Sequence, residues 1–154
     1  MEYYFKLAFT AILFGCLAVQ CWEDIRRHLL YDEVSMLLAV TGFLRSFIFH
    51  NVHDSLAGAG LCFLVLSFFS LYKGGGMGLG DLLLGTSMGF WLGPEMSGVM
   101  LVIAFVAAAV FCSILLIFTS FDERGIAFAP FLTVAMLSVY YYGGKIMELY
   151  GRIF

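Results

Sequence analysis

Six apolar stretches separated by short polar ones set the pattern of this chain. They cover about residues 4–22, 34–49, 55–72, 82–92, 97–119 and 126–147. Between them lie a polar stretch at 23–33, a turn holding His50, Asn51, His53 and Asp54, Lys73 with the glycine-rich stretch 74–80, a Gly93-Pro94-Glu95 break, and an acidic-basic cluster at 122–124. A helix needs about 20 mostly apolar residues to cross the hydrocarbon core of a bilayer. The backbone must satisfy its own hydrogen bonds there, which makes helix the default for such runs. Barrel strands would alternate over about 10 residues, and these stretches do not alternate. The predicted fold is therefore all-α, a polytopic bundle of about six transmembrane helices forming one domain over residues 1–154. The fourth stretch is the shortest: it either borrows residues from the glycines before it or stops short of a full crossing. The first is too long for the apolar core of a signal peptide (about 7–15 residues), and no A-x-A site follows, so it reads as the first spanning helix.

Parity adds a spatial constraint. If each segment crosses once, the loops after the first, third and fifth share one side of the membrane. Those loops hold Asp24, Asp81 and the 122–124 cluster. The orientation of that side is less well marked. Arg26, Arg27, Lys73 and Arg124 lie on it, against Lys6, Arg45, Lys145 and Arg152 on the other, a tie for the positive-inside rule. The first set sits tighter to its loops, which favours that side as cytoplasmic.

Composition agrees with the pattern. The chain is 62% hydrophobic and 12% charged, whereas a soluble domain is about 45–50% apolar and about 25% charged. The net charge is −3, and no run of Lys or Arg points to nucleic acid. Cys16, Cys21, Cys62 and Cys112 sit within or beside apolar stretches, none as C-x-x-C, and read as small core residues.

Few residues are left to carry chemistry. Asp81 is followed by Leu82, Leu83 and Leu84, and an ionised carboxylate at the mouth of an apolar helix is costly unless something uses it. Its structural alternative is to cap the fourth helix, worth about 1 kcal/mol. The glycines before it permit close backbone approach, but a phosphate loop would want Gly-Lys-Ser/Thr where Asp81 stands. Asp24, taken alone, reads as an interfacial carboxylate paired with Arg27 or His28 on one helix face. Taken with Asp81 on the same side it reads differently. Two converging carboxylates cannot both ionise easily, so one keeps a proton while the other activates a water. Such a pair can hydrolyse a peptide with neither metal nor covalent nucleophile. Ser35 and Ser70 lack a nucleophile-like turn near His28, and His50, His53 and Asp54 read as a solvated turn rather than a metal site.

Three stretches then resemble the type IV prepilin peptidases. Gly78-Leu79-Gly80-Asp81 is similar to the G-x-G-D motif of intramembrane aspartyl proteases, extended by Gly76-Met77. Asp24, Leu30 and Asp32 match a D-x5-L/I-P-D/N segment, and Phe128-Ala129-Pro130-Phe131-Leu132 is similar to P-F-G-P-F-L. The resemblance implies Asp24 and Asp81 as the catalytic pair, Gly78, Gly80 and Pro130 as loop-shaping residues, and no metal or cofactor. It implies prepilin-like substrates cut at the cytoplasmic face of the inner membrane. Larger members also N-methylate the new terminus through a domain with C-x-x-C motifs, and none occurs here, so the expectation is cleavage without methylation. Tyr31, Leu83, Ala127 and Ala129 depart from the family pattern at a proline, a lysine, a proline and a glycine. They leave room for a rival reading, a non-catalytic assembly subunit of a pilus, secretion or competence system, and for a protease of presenilin type that cuts within a spanning helix. Glu23 is the local substitute for Asp24 as an acid.

Overall fold

The computed structural model describes residues 2–71, 77–118 and 127–153. Lys73, the glycines at 74–76 and the cluster at 122–124 lie outside them. Among the described residues six helices run in order: α1 (Glu2–Arg27), α2 (Asp32–Ile48), α3 (Val52–Leu71), α4 (Leu79–Leu92), α5 (Pro94–Phe118) and α6 (Ala129–Ile153). No strand occurs among the described residues. Among the described residues, three stretches are long and apolar enough to cross a membrane: Tyr4–Arg27, Val52–Leu71 and Pro94–Leu115. The protein is a multi-pass, all-α membrane protein, as its pattern predicts. At about 1.5 Å per residue, the 14 residues of α4 rise only about 21 Å, less than the roughly 30 Å of hydrocarbon.

Helix ends differ from the apolar stretches for identifiable reasons. The helix of α1 continues past the last apolar residue to Arg27, and Arg27 pairs with Glu23 one turn back at 3.4 Å. It stops where His28 adopts φ 51, with the His28 N–H bonded to the Asp24 carbonyl at 3.0 Å. A left-handed residue just past the last turn is a common way to satisfy free carbonyls. At the other end of the bundle, Gly93 takes φ 77 and Pro94 opens α5, where its missing N–H costs nothing.

The short helix α4 is the hub. It packs against α2, α3, α5 and α6. Without a hydrophobic force between helices in lipid, close packing depends on small residues and interhelical hydrogen bonds. Both are present. A Cβ at Gly89 would lie 2.6 Å from the Gly58 carbonyl oxygen and 2.7 Å from the Ala59 Cα of α3. Ser55 Oγ donates to the Phe90 carbonyl at 2.6 Å, and the Trp91 indole N–H donates to the Leu38 carbonyl at 2.9 Å. Around these contacts Leu13, Leu17, Leu38, Leu66, Leu84, Met88, Met100, Leu132 and Met136 form the core. The outward faces of the helices are also apolar, with Leu64, Phe68, Leu71, Val102 and Ile117 exposed. In water such a surface would aggregate; in a bilayer it is solvated.

The end of α1 and the starts of α2, α4 and α6 meet at one end of the bundle. Arg45, Asp54 and Gly93 mark the other end, around a cavity of about 190 Å³.

Candidate active site

Asp24 sits in the last turn of α1 and is buried. Its Oδ2 accepts a hydrogen bond from the Ala129 N–H at 3.0 Å, across 105 residues of sequence. The N–H groups of a helix's first turn have no partner within the helix. In α6 the Phe128 carbonyl accepts from Phe131 and Leu132, at 3.0 and 3.2 Å, Pro130 has no N–H at all, and the Ala129 N–H turns to Asp24. The positive end of the α6 dipole faces the same carboxylate. Of the two partners expected for Asp24 on its own helix face, His28 acts on it by charge, while Arg27 turns to Glu23.

Asp81 is half-buried at the third position of α4, whose N-cap is Gly78 with no side-chain cap. Asp81 is therefore not the cap residue itself. Its carboxyl reaches back to the Gly78 N–H, as the acidic residue of a capping box does. The other oxygen, Oδ1, is buried without a hydrogen-bond partner. Asp24 is close enough for its charge to act on Asp81. Burial and then the Asp24 charge push Asp81 up to about 7, against a downward pull from the Gly78 N–H. Close to neutral pH this group can hold a proton or release it.

The two aspartates come from helices whose backbones are not adjacent; α2 and α6 contact α1, and both contact α4. The link between them runs through the α1–α2 turn. Leu30 lies against Gly80, where a Cβ would meet the Leu30 Cβ at 2.8 Å. Glycine at this position is thus a matter of close approach, not only of loop flexibility. Gly78 supplies the N-cap of α4, and Pro130 lies in the first turn of α6. Beside Asp24, a cavity of about 410 Å³ is lined by Ile25, His28, Phe111, Leu115, Pro130 and Phe131. A second apolar cavity of about 240 Å³ shares Ile25 and continues between α1 and α6 past Cys21 and Leu137.

All five predicted site residues lie at this end, and Asp24 and Asp81 come together there. Reading the sequence missed two contributors, the Ala129 N–H and Gln20, which is fully buried in α1, while Leu30 stands in it only as a motif position and not as the neighbour of Gly80. Gln20 carried a signal, being an amide within an apolar stretch. Among the described residues, no group of three or more His, Cys, Asp or Glu is placed to hold a metal ion.

A profile of the type IV leader peptidase family matches residues 11–116, more than half of the chain and including both aspartates. The chain belongs to the type IV leader peptidase family. The third motif, at Phe128–Leu132, lies outside the matched residues. A prepilin leader peptidase/N-methyltransferase of Dichelobacter nodosus is 28% identical over 153 residues, covering 95% of this chain. This leader peptidase family member spans about half the length of that relative, 52%. No solved structure matches it.

Proposed function

We propose that this member of the leader peptidase family is an aspartic endopeptidase that removes the leader from prepilin-like proteins. The observation that carries the reading is Asp81: a half-buried carboxyl with one unpartnered oxygen, electrostatically coupled to the buried Asp24. In the reaction one carboxyl is protonated and the other ionised. The ionised one takes a proton from water as the water oxygen bonds to the scissile carbonyl carbon, and the protonated one gives its proton to the carbonyl oxygen. Collapse of the tetrahedral intermediate breaks the C–N bond, with a carboxyl proton passing to the leaving amine. The individual roles belong to the pair, since coupled carboxyls titrate together.

The apolar cavities beside Asp24 suit a substrate whose cleavage site is followed by an apolar helix, and the bilayer delivers such a helix. Cutting at the cytoplasmic face of the inner membrane fits the placement of Arg26 and Arg27 beside Asp24. Methyl transfer, which the resemblance ties to C-x-x-C motifs, is not assigned to these residues.

The test is cleavage of a leader-bearing pilin-like peptide in detergent by wild type, Asp24→Ala and Asp81→Ala, with products read by mass spectrometry. Loss in both variants, and a wild-type cut just before the apolar helix, support the reading. Equal activity in all three sinks it, a cut within the helix points to the presenilin-like alternative, and binding without turnover points to an assembly subunit.

A further inference from the structure

We infer that Gln20 is a positioning residue for the aspartate pair: its side-chain amide clamps the α1–α2 turn, and through that turn fixes where α4 presents Asp81 to Asp24. The rate arm of its test rests on the peptidase reading; the placement itself does not.

A fully buried amide in a spanning helix is expensive unless each polar atom finds a partner, and Gln20 is fully buried. Its Oε1 accepts from the Tyr31 N–H at 3.0 Å. Its Nε2 donates to the Tyr31 carbonyl and to Ser35 Oγ, both at 2.8 Å. One side chain thus grips both main-chain groups of Tyr31, the N-cap of α2, and the first turn that follows.

Two connections carry this grip to α4. The residue before Tyr31 is Leu30, whose Cβ and Cδ1 would stand 2.8 and 3.1 Å from a Cβ at Gly80, the neighbour of Asp81. Ser35 provides the second. Its carbonyl lies 2.8 Å from Ser87 Oγ on α4, whose single hydrogen is shared with the Leu83 carbonyl at 2.7 Å. Gln20 also stands one turn before Asp24 on α1, and residues four apart share a helix face. That face holds α6 through Asp24 and the α1–α2 turn through Gln20. A shift of the turn therefore changes the separation of the two carboxyls.

The charged surroundings of Asp81 make that separation readable. Asp24 is the charged group that acts on it, with His28 beyond the end of α1. Glu23 is held by Arg27, while Asp32 and Glu33 are exposed at the start of α2. Asp54 and Glu95 belong to the opposite end of α3 and α5, and Lys145 and Glu148 lie more than four turns along α6 from its start.

The test compares the full chain with Gln20→Met, which keeps the length and removes the amide, and with Ser87→Ala, which removes one connection and is less disruptive. In Gln20→Met, kcat is expected to fall at least about tenfold with KM little changed, since a displacement of about 1 Å at a reacting pair costs that much or more. The high-pH limb of the rate profile is expected to move down by about one pH unit as the carboxyls separate and hydrate. Ser87→Ala gives the same changes, smaller. Infrared titration of the Asp81 carboxyl, assigned with Asp81→Asn, reads the displacement without turnover, and its midpoint should fall in the same order. A merely structural Gln20 would lower the yield of folded protein and leave the midpoint in place. An unchanged midpoint in both variants overturns the inference. Should wild type not cleave, the peptidase reading fails while the infrared arm still decides this one.

Discussion

Replacing Gly80 with alanine puts the geometry of the site under direct strain. The new Cβ would stand 2.8 Å from the Leu30 Cβ and 3.1 Å from its Cδ1, against a comfortable separation of about 3.5–4.0 Å. About 1 Å must be found. Because the nearest atom is the Leu30 Cβ, fixed to the turn, a rotamer change does not relieve the overlap. The turn is in turn held by Gln20, so part of the displacement passes to the first turn of α4 and to Asp81. Overpacking of this kind costs about 1–3 kcal/mol in stability, partly offset because alanine favours helix over glycine by about 1 kcal/mol. The cost in rate is larger: about 1 Å at a catalytic pair is worth roughly a hundredfold. Gly80→Ala should therefore lose about two orders of magnitude in kcat while its unfolding midpoint in detergent moves modestly. Leu79→Ala, at an exposed side chain, is the control. Cleavage by Gly80→Ala within about twofold of wild type would refute the reasoning that Leu30 and Gly80 set the site.

Two further outcomes test the packing and the charge. In the folded protein Asp81 is raised from 3.8 to about 7. The folded state thus binds the proton more tightly than the unfolded one between those values. The contribution is fully present below about pH 4 and is lost as pH rises through about 7, amounting to about 4 kcal/mol at 1.36 kcal/mol per unit. Unfolding in detergent at pH 4.5 and pH 8 should show this fall in wild type and a flatter profile in Asp81→Asn; a profile that rises over the window would contradict it. At Gly85, an added Cβ would overlap the Leu66 Cδ1 of α3. Gly85→Ala alone should cost about 1–3 kcal/mol and Leu66→Ala alone about 2–5 kcal/mol. The double variant should cost at least about 1 kcal/mol less than their sum, whereas strict additivity would show that the two do not meet.

The apolar stretches were enough to read six helices, because a long non-alternating apolar run in a bilayer must satisfy its own backbone hydrogen bonds, even where, as in α4, it is too short to cross. Parity placed Asp24 and Asp81 at one end, since alternation of direction needs no knowledge of packing. The ends of the helices were less readable. The apolar run of α1 stops at Trp22, where Glu23 and Asp24 follow, yet its backbone continues to Arg27. Asp81 fell inside α4 and not at its cap, because Leu79 and Gly80 join the helix. What the sequence hid is tertiary. The partner of Asp24 is a backbone N–H 105 residues away, and a backbone donor leaves no mark in residue type. Gly80 showed itself as glycine, but the reason, Leu30, belongs to another segment. Gln20 could have been found, since an amide in a spanning helix must be bonded to something.

The coupling of the two carboxyls is tested most directly by the titration midpoint of Asp81, followed by infrared spectroscopy in wild type and in Asp24→Asn. The asparagine oxygen can still accept the Ala129 N–H, so the neutral side chain removes the charge while keeping that contact. With the carboxyls held together, the wild-type midpoint lies near 7 and falls when the Asp24 charge is removed. A midpoint that does not move would show that the two side chains do not sense each other, and the shared-proton site would be lost with it.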